Sequence, residues 1–212
     1  MENEKQQLEA LQDIRRMMQE SSKFLSLSGL SGIFAGIYAL IGAWLGHSAI
    51  ASFNEGYPRN ENFETEYNRY LIYLLAICFG VLATSILTAF LFSFNKAKRN
   101  NQKLFDHTSK KLLWNMIIPL SAGGIFCFAL LYHGHNFLLL IAPAMLIFYG
   151  LALVNSSKFT LHDIKYLGYL EIILGIISCF SLKHGLIFWA LGFGVLHIIY
   201  GAIMWFKYDR AK

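Results

Sequence analysis

Six apolar stretches divide this chain, at 25–45, 70–94, 112–132, 137–154, 166–182 and 186–205, and of its 18 basic and 13 acidic side chains only Glu171 falls inside them. About 20 apolar helical residues cross the hydrocarbon core of a bilayer, so each stretch meets or approaches the length of a span. Barrel strands would alternate apolar and polar residues over about ten positions. These runs do not alternate, and helix is the state that satisfies every backbone N–H and C=O within lipid. The sequence therefore predicts an all-α, polytopic membrane bundle of six transmembrane helices, of which the fourth and fifth are the shortest. Hydrophobic residues make up 56% of the chain and charged residues 15%, against roughly 25% charged in a soluble domain. Pro119 and Pro143 fall inside spans, where neighbouring helices must satisfy the carbonyls that a proline frees. Cys78, Cys127 and Cys179 lie singly in apolar runs and are expected to be buried thiols acting as small apolar residues.

Charge sets the orientation. Fifteen Lys and Arg lie in 1–23, 95–111, 155–165 and 206–212, and three lie in the segments between, at Arg59, Arg69 and Lys183. The positive-inside tendency places both termini in the cytoplasm. Residues 24–206 then form the membrane domain and 207–212 a cytoplasmic tail. The polar, charged residues 1–23 predict no cleavable signal peptide. Within them Leu8, Leu11, Ile14 and Met18 recur at helical spacing, which predicts a cytoplasmic amphipathic helix. With four basic and five acidic groups it is not of the basic type that binds anionic membranes strongly. Contact with the cytoplasmic loops or with a cytoplasmic protein partner fits better, and a solvated lead into the first span is the alternative. The basic segment 95–111 anchors the topology against lipid headgroups. It offers only Phe105 as an aromatic platform, so no nucleic-acid partner is expected. The outer segment 46–69 reads as a polar hairpin or short helix.

Small residues predict where helices meet. The first span carries Gly32, Ala35, Gly36, Ala39, Gly42, Ala43 and Gly46, and the sixth carries Ala190, Gly194 and Gly201. Such residues let backbones approach closely where lipid supplies no hydrophobic drive. Packing within the chain is the expectation, with a homodimer through the first span as the alternative.

Glu171 and His197 are the residues that need a physical reason. The link between their helices is essentially Lys183-His184-Gly185, which forces an antiparallel hairpin. Each residue is 13 positions from His184, so both fall roughly 20 Å below the turn, level with one another. They are expected to meet directly, through water, or through Tyr200 on the same helical face as His197. An isolated charge at mid-span costs on the order of 3 kcal/mol on insertion scales, and a facing imidazole offers the carboxyl a partner. The pair reads either as a proton or ion relay or as a structural bond fixing helix register. Asn115 and Asn155, at similar distances from a turn near Gly134, form a second interhelical polar pair. His47, His133, His135 and His184 map to the outer edge and are weak candidates for a metal site. No metal or cofactor is expected.

The stretches SLSGLSGIFAGIYALIGA, IFYGLALVN, YLGYLEIILGII and FGVLHIIYGAIMW resemble an uncharacterised family of small bacterial six-span membrane proteins, over about Phe24 to Trp205. The resemblance implies six spans and a bacterial inner-membrane location. It implies no activity, so no catalytic or binding residue is carried over. The sequence contains no Walker, GxSxG or HExxH motif from which to propose catalysis. A non-enzymatic membrane protein acting in sensing or regulation through a cytoplasmic partner is the expectation. A small transporter or proton-coupled carrier built on Glu171 and His197 is the alternative.

Overall fold

The computed structural model describes residues 28–56, 63–99 and 107–210; the amphipathic helix expected at 1–23 lies outside them. Among the described residues every regular element is helical. We number the long helices α1 (Gly29–Gly56), α2 (Phe63–Arg99), α3 (His107–Tyr132), α4 (Ile141–Ser156), α5 (Ile164–Phe180) and α6 (Leu182–Asp209). A 3₁₀ segment, His135–Leu140, leads into α4. Five stretches, all but α5, are long and apolar enough to cross a membrane. α4 and α5 are the two shortest long helices, at 16 and 17 residues, in line with the short fourth and fifth stretches of the sequence; the flanking 3₁₀ turns extend α4 to a span of 23 residues, Phe137–Phe159. The architecture is that of a helical membrane protein.

Two helices outrun their expected bounds. α1 begins at Gly29 and continues into the segment 46–69, expected to be a polar hairpin or short helix, as far as Gly56. α2 has 37 residues, about 55 Å of helix, well beyond a core of about 30 Å. It therefore carries Glu64 and Glu66 past one end of the apolar window and Lys96, Lys98 and Arg99 past the other. Phe53 on α1 stacks on Tyr70 of α2, ring centroids 4.6 Å apart. That contact continues the α1–α2 pairing to the acidic end of α2. Once started, a helix costs little to extend, so polarity alone does not end it at the membrane boundary.

α1 lies between α2 and α6, and α4 lies between α3 and α5. The α5–α6 hairpin, together with contact between α4 and the first turn of α6, joins the two groups. Small residues set the closest approaches. A Cβ at Gly36 would stand 2.6 Å from the Gly194 carbonyl oxygen, and one at Gly201 2.6 Å from the Ile33 nitrogen. The glycine faces of the first and sixth spans are thus used against each other within the chain. Ala39 and Ala43 of α1 are buried against Trp189. The apolar window of α2, by contrast, has none of its residues buried, and Ile72, Phe79 and Ile86 project outward. Cys78 and Cys179 also lie on this outer surface, not in the interior expected for them, and Cys127 is half-buried. Apolar runs in a membrane are apolar all round, so burial does not follow from hydropathy.

The end of α6 ties the basic end of the bundle together. Asp209 Oδ2 accepts from the Gly29 N–H at 2.9 Å and from Ser28 Oγ at 3.1 Å, while its Oδ1 takes Lys96 Nζ at 2.6 Å. One carboxylate so caps the start of α1, where unpaired N–H groups favour negative charge, and holds the end of α2. Two positions earlier, Lys207 Nζ and Tyr208 Oη donate to Asp163 Oδ2, just before α5, at 2.7 and 2.8 Å. Partial burial pushes the Asp163 carboxyl up. The two hydrogen bonds and the Lys207 charge outweigh it, so its pKa falls below the ordinary 3.8. A depressed folded pKa means that this contact stabilises the fold above the unfolded value and stops doing so as pH falls through the folded one. The detergent-solubilised protein should lose thermal stability over the acid interval that begins near the ordinary carboxyl pKa of 3.8 and runs below it. Asp163→Asn should lose less over that interval, as scanning fluorimetry of the two proteins will read.

Candidate functional site

The α5–α6 hairpin turns through Leu182–His184 and puts Glu171 and His197 at one level. Glu171 Oε1 lies 3.4 Å from His197 Nδ1. The Glu171 side chain has no accessible surface, and His197 retains 8%. The depth count from the turn finds this level, because antiparallel helices of equal rise return to the same height over equal numbers of residues.

Local winding positions the imidazole. Gly185–Trp189 and His197–Met204 are α-helical, but Ala190–Leu196 between them is a π-helix. Such wider turns are rare and leave carbonyls for other donors. The His197 backbone N–H goes to the Gly194 carbonyl, while His197 Nδ1 bonds the Gly192 carbonyl oxygen at 3.0 Å. A carbonyl only accepts, so Nδ1 carries a proton. In a neutral ring Nε2 is then an acceptor, and the Tyr149 hydroxyl lies 2.7 Å from it. Tyr149, on α4, also packs against Phe193 of α6, ring centroids 5.0 Å apart.

Gly192 makes the room. A Cβ there would stand 2.5 Å from Glu171 Oε2 and closer still to Leu146 Cδ2. Leu146 is itself fully buried, so the carboxyl fits only because residue 192 has no side chain. Among the described residues neither Glu171 oxygen has a hydrogen-bond partner, and the same holds for the buried Ser178 Oγ two turns along α5. An unsatisfied buried polar group costs on the order of 1–3 kcal/mol. The geometry shows how the cost is limited: one Nδ1–H stands between two acceptors, Gly192 O at 3.0 Å and Glu171 Oε1 at 3.4 Å. The imidazole therefore has a carboxyl beside its Nδ1 and a phenol at its Nε2.

The phenol in this chain comes from Tyr149 rather than from Tyr200. Tyr200 is half-buried and packs on the cluster of Leu153, Leu161, Ile164, Leu167 and Met204. The partner comes across from α4, a third helix, and not along the helix that bears His197.

Asn115 and Asn155 do meet, through a side chain and a backbone group. Asn155 Nδ2 donates to the Asn115 backbone carbonyl at 2.9 Å. Pro119 has no N–H to give to that carbonyl four residues back, so Asn155 supplies from α4 the donor that α3 lacks. Asn115 Nδ2 in turn donates to the Lys111 carbonyl at 2.8 Å. At the turns of the α5–α6 and α3–α4 hairpins, His184 Nδ1 lies 3.0 Å from Ser181 Oγ, and the His133 ring sits edge-on to Tyr132 and Phe137. His47 is on α1, and the side chain of His135 lies outside the described residues. Among the described residues no three His, Cys, Asp or Glu side chains are grouped to hold a metal ion.

Compared with known proteins, the chain matches no family model, no curated protein and no solved structure.

Proposed function

We propose that this is a non-enzymatic six-span protein of the bacterial inner membrane, with both termini cytoplasmic. In this reading it acts in sensing or regulation through a cytoplasmic partner bound by residues 1–23. The Glu171–His197–Tyr149 cluster sets the register of α4, α5 and α6, and its two-acceptor donor is the element whose state is transmitted. The observation that carries this reading is the complete enclosure of Glu171. A carrier needs its polar site open in turn to each face, whereas an enclosed site suits a group that reports or fixes helix position. The Asp209 contact supports the reading, since it couples α6 to the start of α1, while the Asp163 contact ties the same end of α6 to the start of α5.

The second reading, a small proton-coupled carrier, rests on the same buried carboxyl with both oxygens unbonded. One pair of measurements separates the two. Photo-crosslinking from positions within 1–23 in intact cells should give a discrete protein adduct whose yield changes in Glu171→Gln. Liposomes holding the purified protein should dissipate an imposed pH gradient no faster than empty ones. Protein-dependent flux that Glu171→Gln abolishes would replace the sensing reading with the carrier.

A further inference from the structure

A groove of about 390 Å³ runs between α3 and α4 on the outside of the bundle. Pro119, Phe148, Leu151 and Val154 line its length, and Asn155 and Lys158 close one end. Two hydrogen bonds donated by asparagine side chains fix the level of that end. Asn155 is joined to the Asn115 carbonyl, and Asn115 to the carbonyl of Lys111 one turn nearer the start of α3. Lys158 lies one turn beyond Asn155 in the same direction, on the segment Ser157–Phe159, which packs against α3. Lys111 and Lys158 therefore belong to adjoining turns at the basic end of the groove, both on the side where Lys and Arg concentrate. Among the described residues no carboxylate forms an ion pair with either. Asn155 has a second amide N–H beyond the one given to Asn115.

We propose that this groove binds an anionic phospholipid. One acyl chain lies along Pro119, Phe148, Leu151 and Val154, and the phosphate is met by Lys158, Lys111 and the Asn155 amide. Charge complementarity selects the occupant. A basic end on an apolar cleft between membrane helices matches a phosphate joined to a hydrocarbon chain. A zwitterionic lipid would add a cationic headgroup beside two lysines, and a free phosphate would leave the apolar length unfilled. The inference rests on the helices lying in lipid and not on the sensing role, so failure of the crosslinking experiment leaves it standing.

Delipidated full-length protein titrated with phosphatidylglycerol or phosphatidylcholine, and observed by native mass spectrometry, tests it. Phosphatidylglycerol should be retained in preference. Lys158→Glu should weaken that retention by at least about fivefold, whereas Lys183→Glu, the same charge change at the opposite end, should not. Leu151→Trp, which fills the cleft without touching its charge, should also weaken retention. Equal retention of the two lipids, an equal loss in Lys183→Glu, or displacement of phosphatidylglycerol by the same concentration of glycerol phosphate would each overturn the proposal. The first two outcomes would indicate unspecific attraction, and the third a phosphate site without a lipid chain.

Discussion

Gly150→Val and Gly168→Val should each leave little folded protein in the membrane fraction. These glycines face one another across α4 and α5. A Cβ at 150 would stand 2.6 Å from the Gly168 carbonyl oxygen, and a Cβ at 168 would stand 2.8 Å from the Gly150 carbonyl oxygen. The obstacle is backbone on both sides, so no rotamer change relieves it and the helices must separate. Overfilling a packed site typically costs about 1–3 kcal/mol, and a backbone-to-backbone contact belongs at or above the upper end of that range. Separation would also pull α5 from the face that encloses Glu171, since Leu146 and Gly150 share one side of α4 one turn apart. Gly124→Val is the matched control, because nothing lies within 4 Å of a Cβ there. Yield of monodisperse protein and its melting temperature should fall sharply in the first two variants and stay near wild type in the third. Normal melting of Gly150→Val would show that α4 and α5 do not meet at these glycines.

His197→Ala should be the most damaging single substitution in the candidate site, at about 3 kcal/mol. It removes the Nδ1–H that faces both Gly192 O and Glu171 Oε1, and it takes from the Tyr149 hydroxyl its partner at Nε2. A carboxyl with no accessible surface would be left with no neighbouring donor, beside a cavity the size of an imidazole. Tyr149→Phe should cost much less, about 1 kcal/mol, because it deletes one hydrogen bond and leaves the pair at Nδ1 in place. Unfolding of the purified variants in mixed micelles of increasing denaturing detergent measures both. A His197→Ala cost no greater than that of Tyr149→Phe would mean that the imidazole's importance lies at Nε2 alone.

Depth was legible in the sequence; azimuth was not. Counting residues from His184 puts Glu171 and His197 at one height, because helix rise is constant, and the structure places them 3.4 Å apart. Counting from Gly134, which turns the chain with φ +98°, likewise brings Asn115 and Asn155 to one height. Rotation about the helix axis is a different quantity. It is read from an apolar stripe, and lipid-facing helices are apolar on every side. Tyr149 sits in the run LIFYGLALVN, where an aromatic passes for filler, and only the α4–α6 packing shows it reaching His197. The available signal was its phenol, a polar tip within an apolar stretch that required a partner. Helix ends were obscured for a related reason, since hydropathy marks where lipid stops and not where i→i−4 bonding stops. α1 and α2 accordingly run on beyond their spans. The Asp209 cap on Gly29 joins groups 180 positions apart, and no local pattern announces it. The π-helical winding at Ala190–Leu196 accompanies a bond from the His197 side chain to the Gly192 carbonyl five residues back on the same helix, which apolar periodicity does not mark.

The direct coupling of carboxyl and imidazole is best measured by a double-mutant cycle on unfolding free energy in lipid-containing micelles, using Glu171→Gln, His197→Gln and the two combined. If the two groups stabilise the bundle through each other, the double variant will lose less than the sum of the single losses, by about 1 kcal/mol. Losses that add to within about 0.3 kcal/mol would mean that the two side chains are neighbours without interaction, and the account of the site would fail.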